Sequence, residues 1–152
     1  KNKIEPFSVL SNNFSLAEMI KPVWPGCVGV NKEFLEYLIK EKILLFPWSS
    51  QARGFFIKKK EHISNNHFSN PNLDEEMRVW HYPKNLKRRD KCFELAEKRG
   101  LEPIQIALAY VLHQSDLIFP LIGPRTIVET NSSIEASKVE LTAKELQELS
   151  QA

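Results

Sequence analysis

The chain has 152 residues, with 21 Lys+Arg against 19 Asp+Glu for a formal net charge of +2, and is 42% hydrophobic and 26% charged. This is the composition of one soluble globular domain. It excludes wholesale disorder and a polyanion binder that works by bulk charge, and no apolar run approaches the ~20 residues that cross a bilayer.

The first residues, Lys1-Asn2-Lys3-Ile4-Glu5-Pro6, lack the apolar stretch and small-residue cleavage site of a signal peptide. No initiator Met precedes them, which leaves Lys1 open as an internal residue of a longer chain. Phe7-Ser8-Val9-Leu10 reads as a short strand that ends in the polar Ser11-Asn12-Asn13. Trp24-Pro25-Gly26-Cys27 is a loop. Over residues 31–42 the apolar positions Phe34, Leu35, Leu38 and Ile39 form one helical stripe, with Asn31 as N-cap. Ile43-Leu44-Leu45-Phe46 is continuous enough for a buried strand, and Trp48-Ser49-Ser50-Gln51-Ala52-Arg53-Gly54 follows as a polar loop.

A long Asn-, Ser- and Lys-rich stretch over 58–71 is expected to be a loop, and 73–80 a short helix. Another helix runs from Pro83 or Lys84 to Arg99, with Leu86, Phe93 and Ala96 inward and Gly100 just past its end. Pro103 opens the next helix, whose Ile104, Ala107, Leu108, Val111 and Leu112 make a wide apolar face. Residues 117–122 form another buried strand. Thr126 with Glu129, and Thr142 with Glu145, both match the capping box and predict two helix starts. Buried strands alternating with amphipathic helices argue for parallel α/β structure.

In such folds ligands bind beyond the carboxyl ends of the strands. The polar segments there are 11–13, 48–54 and 123–126. The last is the richest: Gly123 permits close approach, a helix N-terminus near Thr126 carries partial positive charge, and Arg125 offers a planar fork suited to phosphate. An anion site and a plain strand–helix junction both fit that pattern. Trp48 reads either as core or as a flat surface for an aromatic ligand. Arg53 reads as a surface Arg or a second phosphate contact.

Cys27 and Cys92 are too few and too far apart for a disulfide framework or a zinc site, so reduced thiols in the cytoplasm are expected. His62, His67, His81 and His113 lack metal-ligand spacing and read as surface or solvated residues. Lys58-Lys59-Lys60 and Lys87-Arg88-Arg89 are each followed by an acid, so they read as solvated faces rather than nucleic-acid patches. A basic interaction module built on them is the weakest of the readings.

Several segments taken together carry a resemblance. They are Phe14-Ser15-Leu16-Ala17, Trp24-Pro25-Gly26-Cys27, the stretch from Phe46-Pro47-Trp48 to Gly54-Phe55, Ala107-Leu108-Ala109-Tyr110-Val111-Leu112, Pro120-Leu121-Ile122-Gly123-Pro124-Arg125-Thr126 and Val139-Glu140-Leu141-Thr142. In this order and spacing they resemble the C-terminal half of an aldo-keto reductase, in particular bacterial members of the NADP-dependent oxidoreductase domain family.

The resemblance implies a single partial domain over 1–152, the C-terminal portion of a (β/α)8 TIM barrel. It would hold about strands six to eight with their helices and lack the N-terminal half. A complete barrel of this kind takes ~250 residues. The resemblance also implies an NADP(H)-dependent oxidoreductase that reduces aldehydes or ketones to alcohols, with this chain as the cofactor-binding part. Trp48 matches the position that stacks on nicotinamide. Ser49, Gln51 and Arg53 match the loop around the pyrophosphate. Gly123, Pro124, Arg125 and Thr126 match the contacts to the 2′-phosphate and ribose, while Glu129, Ser132 and Ser133 face the adenine end. Ser11 stands where the family usually has a Gln that holds the carboxamide.

No catalytic residue is assigned, because the family's Asp, Tyr, Lys and His lie in the other half. Tyr37, Tyr82 and Tyr110 fall on or beside helices, so this chain alone is expected to be inactive. Its implied partners are a small carbonyl substrate in the complete barrel and either a second copy or the missing N-terminal half; metal, nucleic acid and membrane are not expected. The alternative is a catalytically inactive truncated half-barrel, or a nucleotide-binding or assembly module.

Overall fold

The computed structural model describes residues 5–57 and 78–151. The expected loop over 58–71 with its Lys run, His62 and His67 lies outside the described residues, as does most of the helix expected over 73–80.

Three chain segments run parallel at the centre. Strand β1, Val9–Leu10, pairs with β2, Leu44–Leu45, in the register Val9 to Leu44 and Leu10 to Leu45. An isolated bridge between Asn13 and Trp48 continues it. On the other side of β2, Ile118 bridges Leu45, and the bonds Phe119 N–H to Leu45 C=O (2.8 Å) and Leu121 N–H to Pro47 C=O (3.0 Å) extend the pairing. Regular strand is therefore shorter than the expected run of 43–46, and the buried strand expected over 117–122 reduces to the Ile118 bridge, with Phe119, Leu121 and Ile122 exposed. Pro47 has no N–H to give to a ladder, and beyond Leu10 side chains take over the pairing.

Five helices surround these segments among the described residues: α1 (Lys32–Lys40), α2 (Pro83–Arg99), α3 (Pro103–Leu112), α4 (Ile127–Ala136) and α5 (Ala143–Gln151). Their ends follow local chemistry. Asn31 Oδ1 accepts the Phe34 N–H at 2.8 Å, and Gly100 ends α2 at φ 65°. Thr142 and Glu145 form the full reciprocal box, with the Thr142 N–H on the Glu145 carboxylate at 2.8 Å and the Glu145 N–H on Thr142 Oγ1 at 3.2 Å. At α4 the box is offset by one residue. Thr126 Oγ1 takes the Glu129 N–H, but the Glu129 carboxylate reaches the N–H of Arg125 instead.

Helix α3 is buried all round from Gln105 to Val111, as befits a helix wedged between α2 and α4. Helix α2 departs from the sequence reading. Its buried line is Asn85, Arg88, Arg89, Cys92 and Ala96, while Leu86 and Phe93 are only half-buried. The Lys87-Arg88-Arg89 run is therefore not a solvated face: Arg88 and Arg89 are 7% and 3% exposed. Arg88 donates to the carbonyls of Leu16 (3.1 Å) and Ser150 (2.7 Å) and lies 3.3 Å from the Glu18 carboxylate. The Arg89 guanidinium lies over the Phe55 ring, 4.9 Å from its centre. These contacts offset the cost of burying the two charges.

Candidate functional site

The polar segments after β1, after β2 and after residue 118 lie at one end of the parallel array, because the three strand segments share a direction. Ser11, Asn12 and Asn13 knit that end together. Ser11 Oγ donates to the Phe46 carbonyl at 2.9 Å, and Asn13 Nδ2 donates to the Trp48 carbonyl at 3.1 Å. Asn12 Nδ2 reaches the Val28 carbonyl at 3.0 Å. Each side chain takes a carbonyl that a regular ladder or turn would have used. The Ser11 hydroxyl has thus spent its one proton and offers a ligand only lone pairs.

The loop after β2 is unusual in its backbone. Ser49, Ala52 and Arg53 all have φ of 49°, in the left-handed region. This costs a non-glycine residue roughly 1–2 kcal/mol. The turn closes on itself, with the Ala52 N–H on the Ser49 carbonyl at 2.8 Å and the Phe55 N–H on the Ala52 carbonyl at 3.0 Å. Ser50, 1% exposed, ties the loop to the neighbouring segment through Oγ to the Leu121 carbonyl at 2.9 Å. Arg53 Nε reaches Ser49 Oγ at 3.2 Å, and the Arg53 side chain is exposed. Gln51 is half-buried at the start of the short 3-10 turn Ala52–Gly54.

Beyond Leu121 the chain runs exposed through Gly123, Pro124, Arg125 and Thr126 into α4. A side chain at Gly123 would meet no atom within 4 Å, so the backbone there is open to close approach. Arg125 is 82% exposed, with its guanidinium 3.6 Å from Glu129, and the helix dipole adds positive potential. Glu129 is half-buried and acts as the internal partner of Arg125. Ser132 is half-buried, and its carbonyl accepts from Gln105 Nε2 at 3.4 Å. Ser133 is buried, with its hydroxyl donated to the Glu129 carbonyl at 3.0 Å, so it faces the helix packing rather than an open surface.

Trp48 is half-buried at the head of the β2 loop, and its ring stacks on Trp24 at 4.7 Å between centres and 28° between planes. The sequence reading places Trp24 in a loop and in a segment of the family resemblance, with no partner for its ring. Long-range stacking leaves no periodic signal, so this partner of Trp48 was not visible. The structural roles of Asn13 and Asn85 were missed for the same reason.

Other titratable groups point to structure rather than chemistry. Burial pushes the Cys92 thiol well above its ordinary value despite a backbone hydrogen bond from Ala107 that acts the other way. Burial likewise raises the Tyr110 phenol, with the Arg88 charge opposing it. His113 is a helix-end tie more than a solvated residue. Its Nδ1 meets the Ala109 carbonyl at 2.8 Å, and Nε2 accepts the Leu141 N–H at 3.2 Å. Among the described residues no cluster of three or more His, Cys, Asp or Glu could hold a metal. Nor is any helix there long and apolar enough to cross a membrane.

Comparison with known proteins agrees with this layout. The family model for the Aldo/keto reductase family matches residues 1–152. The chain belongs to the aldo/keto reductase family. This aldo/keto reductase is 32% identical over 118 residues to norsolorinic acid reductase stcV of Emericella nidulans, covering 78% of this chain and 28% of that protein. It is 26% identical over 153 residues to norsolorinic acid reductase A of Aspergillus parasiticus, covering 99% and 34%. Probable aldo-keto reductase 1 of Glycine max is 32% identical over 112 residues, covering 71% and 31%. The chain thus spans about a third of the length of these curated relatives.

Among solved structures, the thermostable aldo-keto reductase Tm1743 superposes with a TM-score of 0.61 at 15% identity, covering 97% of this chain and 40% of that one. The aldose reductase of Schistosoma japonicum gives a TM-score of 0.59 at 14% identity, covering 99% and 35%. The α/β fold and the oxidoreductase family are therefore those expected from the sequence.

Proposed function

We propose that this chain is the cofactor-binding, C-terminal part of a cytoplasmic NADP(H)-dependent aldo/keto reductase, corresponding to about strands six to eight of a (β/α)8 barrel. The observation that carries the reading is the strained 48–54 loop, tied through Ser50 to the segment that leads into Arg125 and α4. An open glycine and an exposed Arg at a helix start, beside a tightly turned loop, suit the phosphates of a dinucleotide.

On this reading the backbone of Ser49, Gln51 and Arg53 holds the pyrophosphate. Gly123, Pro124 and Thr126 line the ribose, and Arg125 turns from Glu129 to the 2′-phosphate. Glu129 and Ser132 border the adenine. Ser133 supports them from within the helix, and Trp48 offers its ring to the nicotinamide. Ser11, with only lone pairs left, accepts from the carboxamide NH2 and cannot also donate to its oxygen. NADP(H), when bound, supplies the hydride for reduction of an aldehyde or ketone. The chain's own task is to bind and orient the cofactor.

Phe7 is 89% exposed and Val9 45%, and among the described residues β1 pairs with β2 alone. This supports a covering N-terminal half of the barrel, or a second copy, at that edge. The family's proton-donating residues would come from that half, so the chain alone does not turn over.

The test is a titration of the purified protein with NADPH, followed by tryptophan fluorescence. Saturable quenching is expected, weakened about tenfold in Arg125→Ala, the low end for losing a charged hydrogen bond at an exposed site. A cooperatively folded protein that shows no saturable quenching overturns the reading. NADPH-dependent reduction of a simple aldehyde by this chain alone overturns the assignment of inactivity.

A further inference from the structure

We infer that Trp24 is a positioning residue for the ligand site: it covers one face of Trp48 and leaves the other as a ledge for a planar ring. The inference rests on the cofactor reading above and assigns a role to a residue outside the polar segments.

The stack itself is the first observation, with ring centres 4.7 Å apart and planes 28° from parallel. The second is how firmly the Trp24 loop is built. Arg78, from the far side of the domain sequence, donates to the carbonyls of Pro22 (2.6 Å) and Val23 (2.8 Å), the two residues before Trp24. The Ile20 N–H reaches the Val79 carbonyl at 3.0 Å. After Trp24, the Cys27 N–H closes a turn onto the Trp24 carbonyl at 3.2 Å, with Gly26 at φ 83°. The loop then rejoins the sheet end through Asn12 on Val28 and the Val30 N–H on the Asn13 carbonyl at 2.8 Å. Asn13 also holds the Trp48 carbonyl. Asn13 thereby links the Trp48 backbone to the segment that follows the Trp24 loop, and Asn12 adds a second tie to that segment.

The third observation is exposure. Trp24 remains 47% exposed, so it is not simply core. An indole at a strand end can rotate about two side-chain bonds. A ring fixed against one face removes most of that freedom before a ligand arrives. Pre-organisation of this kind raises affinity for a ring on the other face, and an aromatic pair is worth about two- to tenfold in a binding constant.

The experiment uses two probes that divide the dinucleotide, nicotinamide mononucleotide and adenosine 2′,5′-bisphosphate, titrated calorimetrically into wild type, Trp24→Ala and Trp24→Phe. Trp24→Ala should weaken the mononucleotide about two- to tenfold, leave the bisphosphate unchanged and lose the coupled tryptophan signal in the near-UV circular dichroism. Trp24→Phe should recover most of the mononucleotide affinity. Equal weakening of both probes, or no change in either, overturns the positioning role while leaving the cofactor reading intact. A wild type that binds the bisphosphate but not the mononucleotide overturns the ledge alone. A folded wild type that binds neither overturns both.

Discussion

Replacing Asn85 by leucine tests how the segment after β1 is held. Asn85 is fully buried near the start of α2. Its Oδ1 accepts the Glu18 N–H at 2.9 Å, and its Nδ2 donates to the carbonyls of Glu18 (2.8 Å) and Trp80 (2.9 Å). The carboxamide thus pairs with Glu18 as a strand backbone would. Leucine keeps the branching and heavy-atom count, so no cavity opens, and its bulkier methyls can only add to the loss from the hydrogen bonds. The bond to Trp80 is buried, and leaving its carbonyl unpaired costs about 1–3 kcal/mol. The two Glu18 groups are part-buried and recover some hydration, at about 0.5–1.5 kcal/mol each. The expected loss is about 2–6 kcal/mol.

Urea unfolding of the purified protein gives the number directly, from the shift of the midpoint at constant slope. Lys84→Ala supplies the control. It removes the exposed 2.7 Å ion pair to the same Glu18, worth under about 1 kcal/mol. A leucine variant no less stable than that control would show that the Asn85 network does not hold the fold, and the reasoning would be refuted.

Gly100→Ala should cost about 1 kcal/mol in the same assay. A methyl there meets nothing within 4 Å, so the penalty is that of the backbone at φ 65° alone; an unchanged midpoint would mean the helix end relaxes. Acid should also destabilise the protein through two carboxyls. Burial pushes Glu18 up, but the Lys84 hydrogen bond and the Arg88 and Lys84 charges outweigh it and hold the group below its usual value. Glu145 is held low by the Thr142 N–H, with its hydroxyl and Arg99 adding to the effect against some desolvation. Groups depressed in the folded state contribute fully above their unfolded value of about 4.3 and lose that contribution as pH falls through the folded values. Urea midpoints measured from pH 6 down to pH 3 should fall on the acid side, and less steeply in Glu18→Gln/Glu145→Gln; equal slopes would remove these groups from the account.

Much of the layout was legible because it is governed locally. Asn31, Gly100, Thr142 and Glu145 act within one turn of their helix ends, and capping needs no distant partner. The polar segments at 11–13, 48–54 and 123–126 were readable for a related reason: a buried strand cannot carry such residues, so they mark where strands end. Strand length was less legible. Pro47 and the side-chain bonds of Ser11 and Asn13 shorten the regular ladder, and nothing in a run of apolar letters shows which carbonyls a hydroxyl or amide will take.

Helix α2 shows the boundary between the two kinds of knowledge. Its periodic positions alone point to Leu86 and Phe93 as the inward face. The actual face runs through Asn85, Arg88 and Cys92, because carbonyls of Leu16, Glu18, Trp80 and Ser150 converge there and need donors. The sequence by itself determined the helices and most of their caps, which rest on short-range spacing, and the family, which rests on the order of several segments along the chain. Tertiary structure alone decided which charges are buried, how Ser50 joins two loops and where Trp24 meets Trp48. Those contacts join residues far apart in the chain, and only the folded backbone brings their partners within hydrogen-bond or stacking distance.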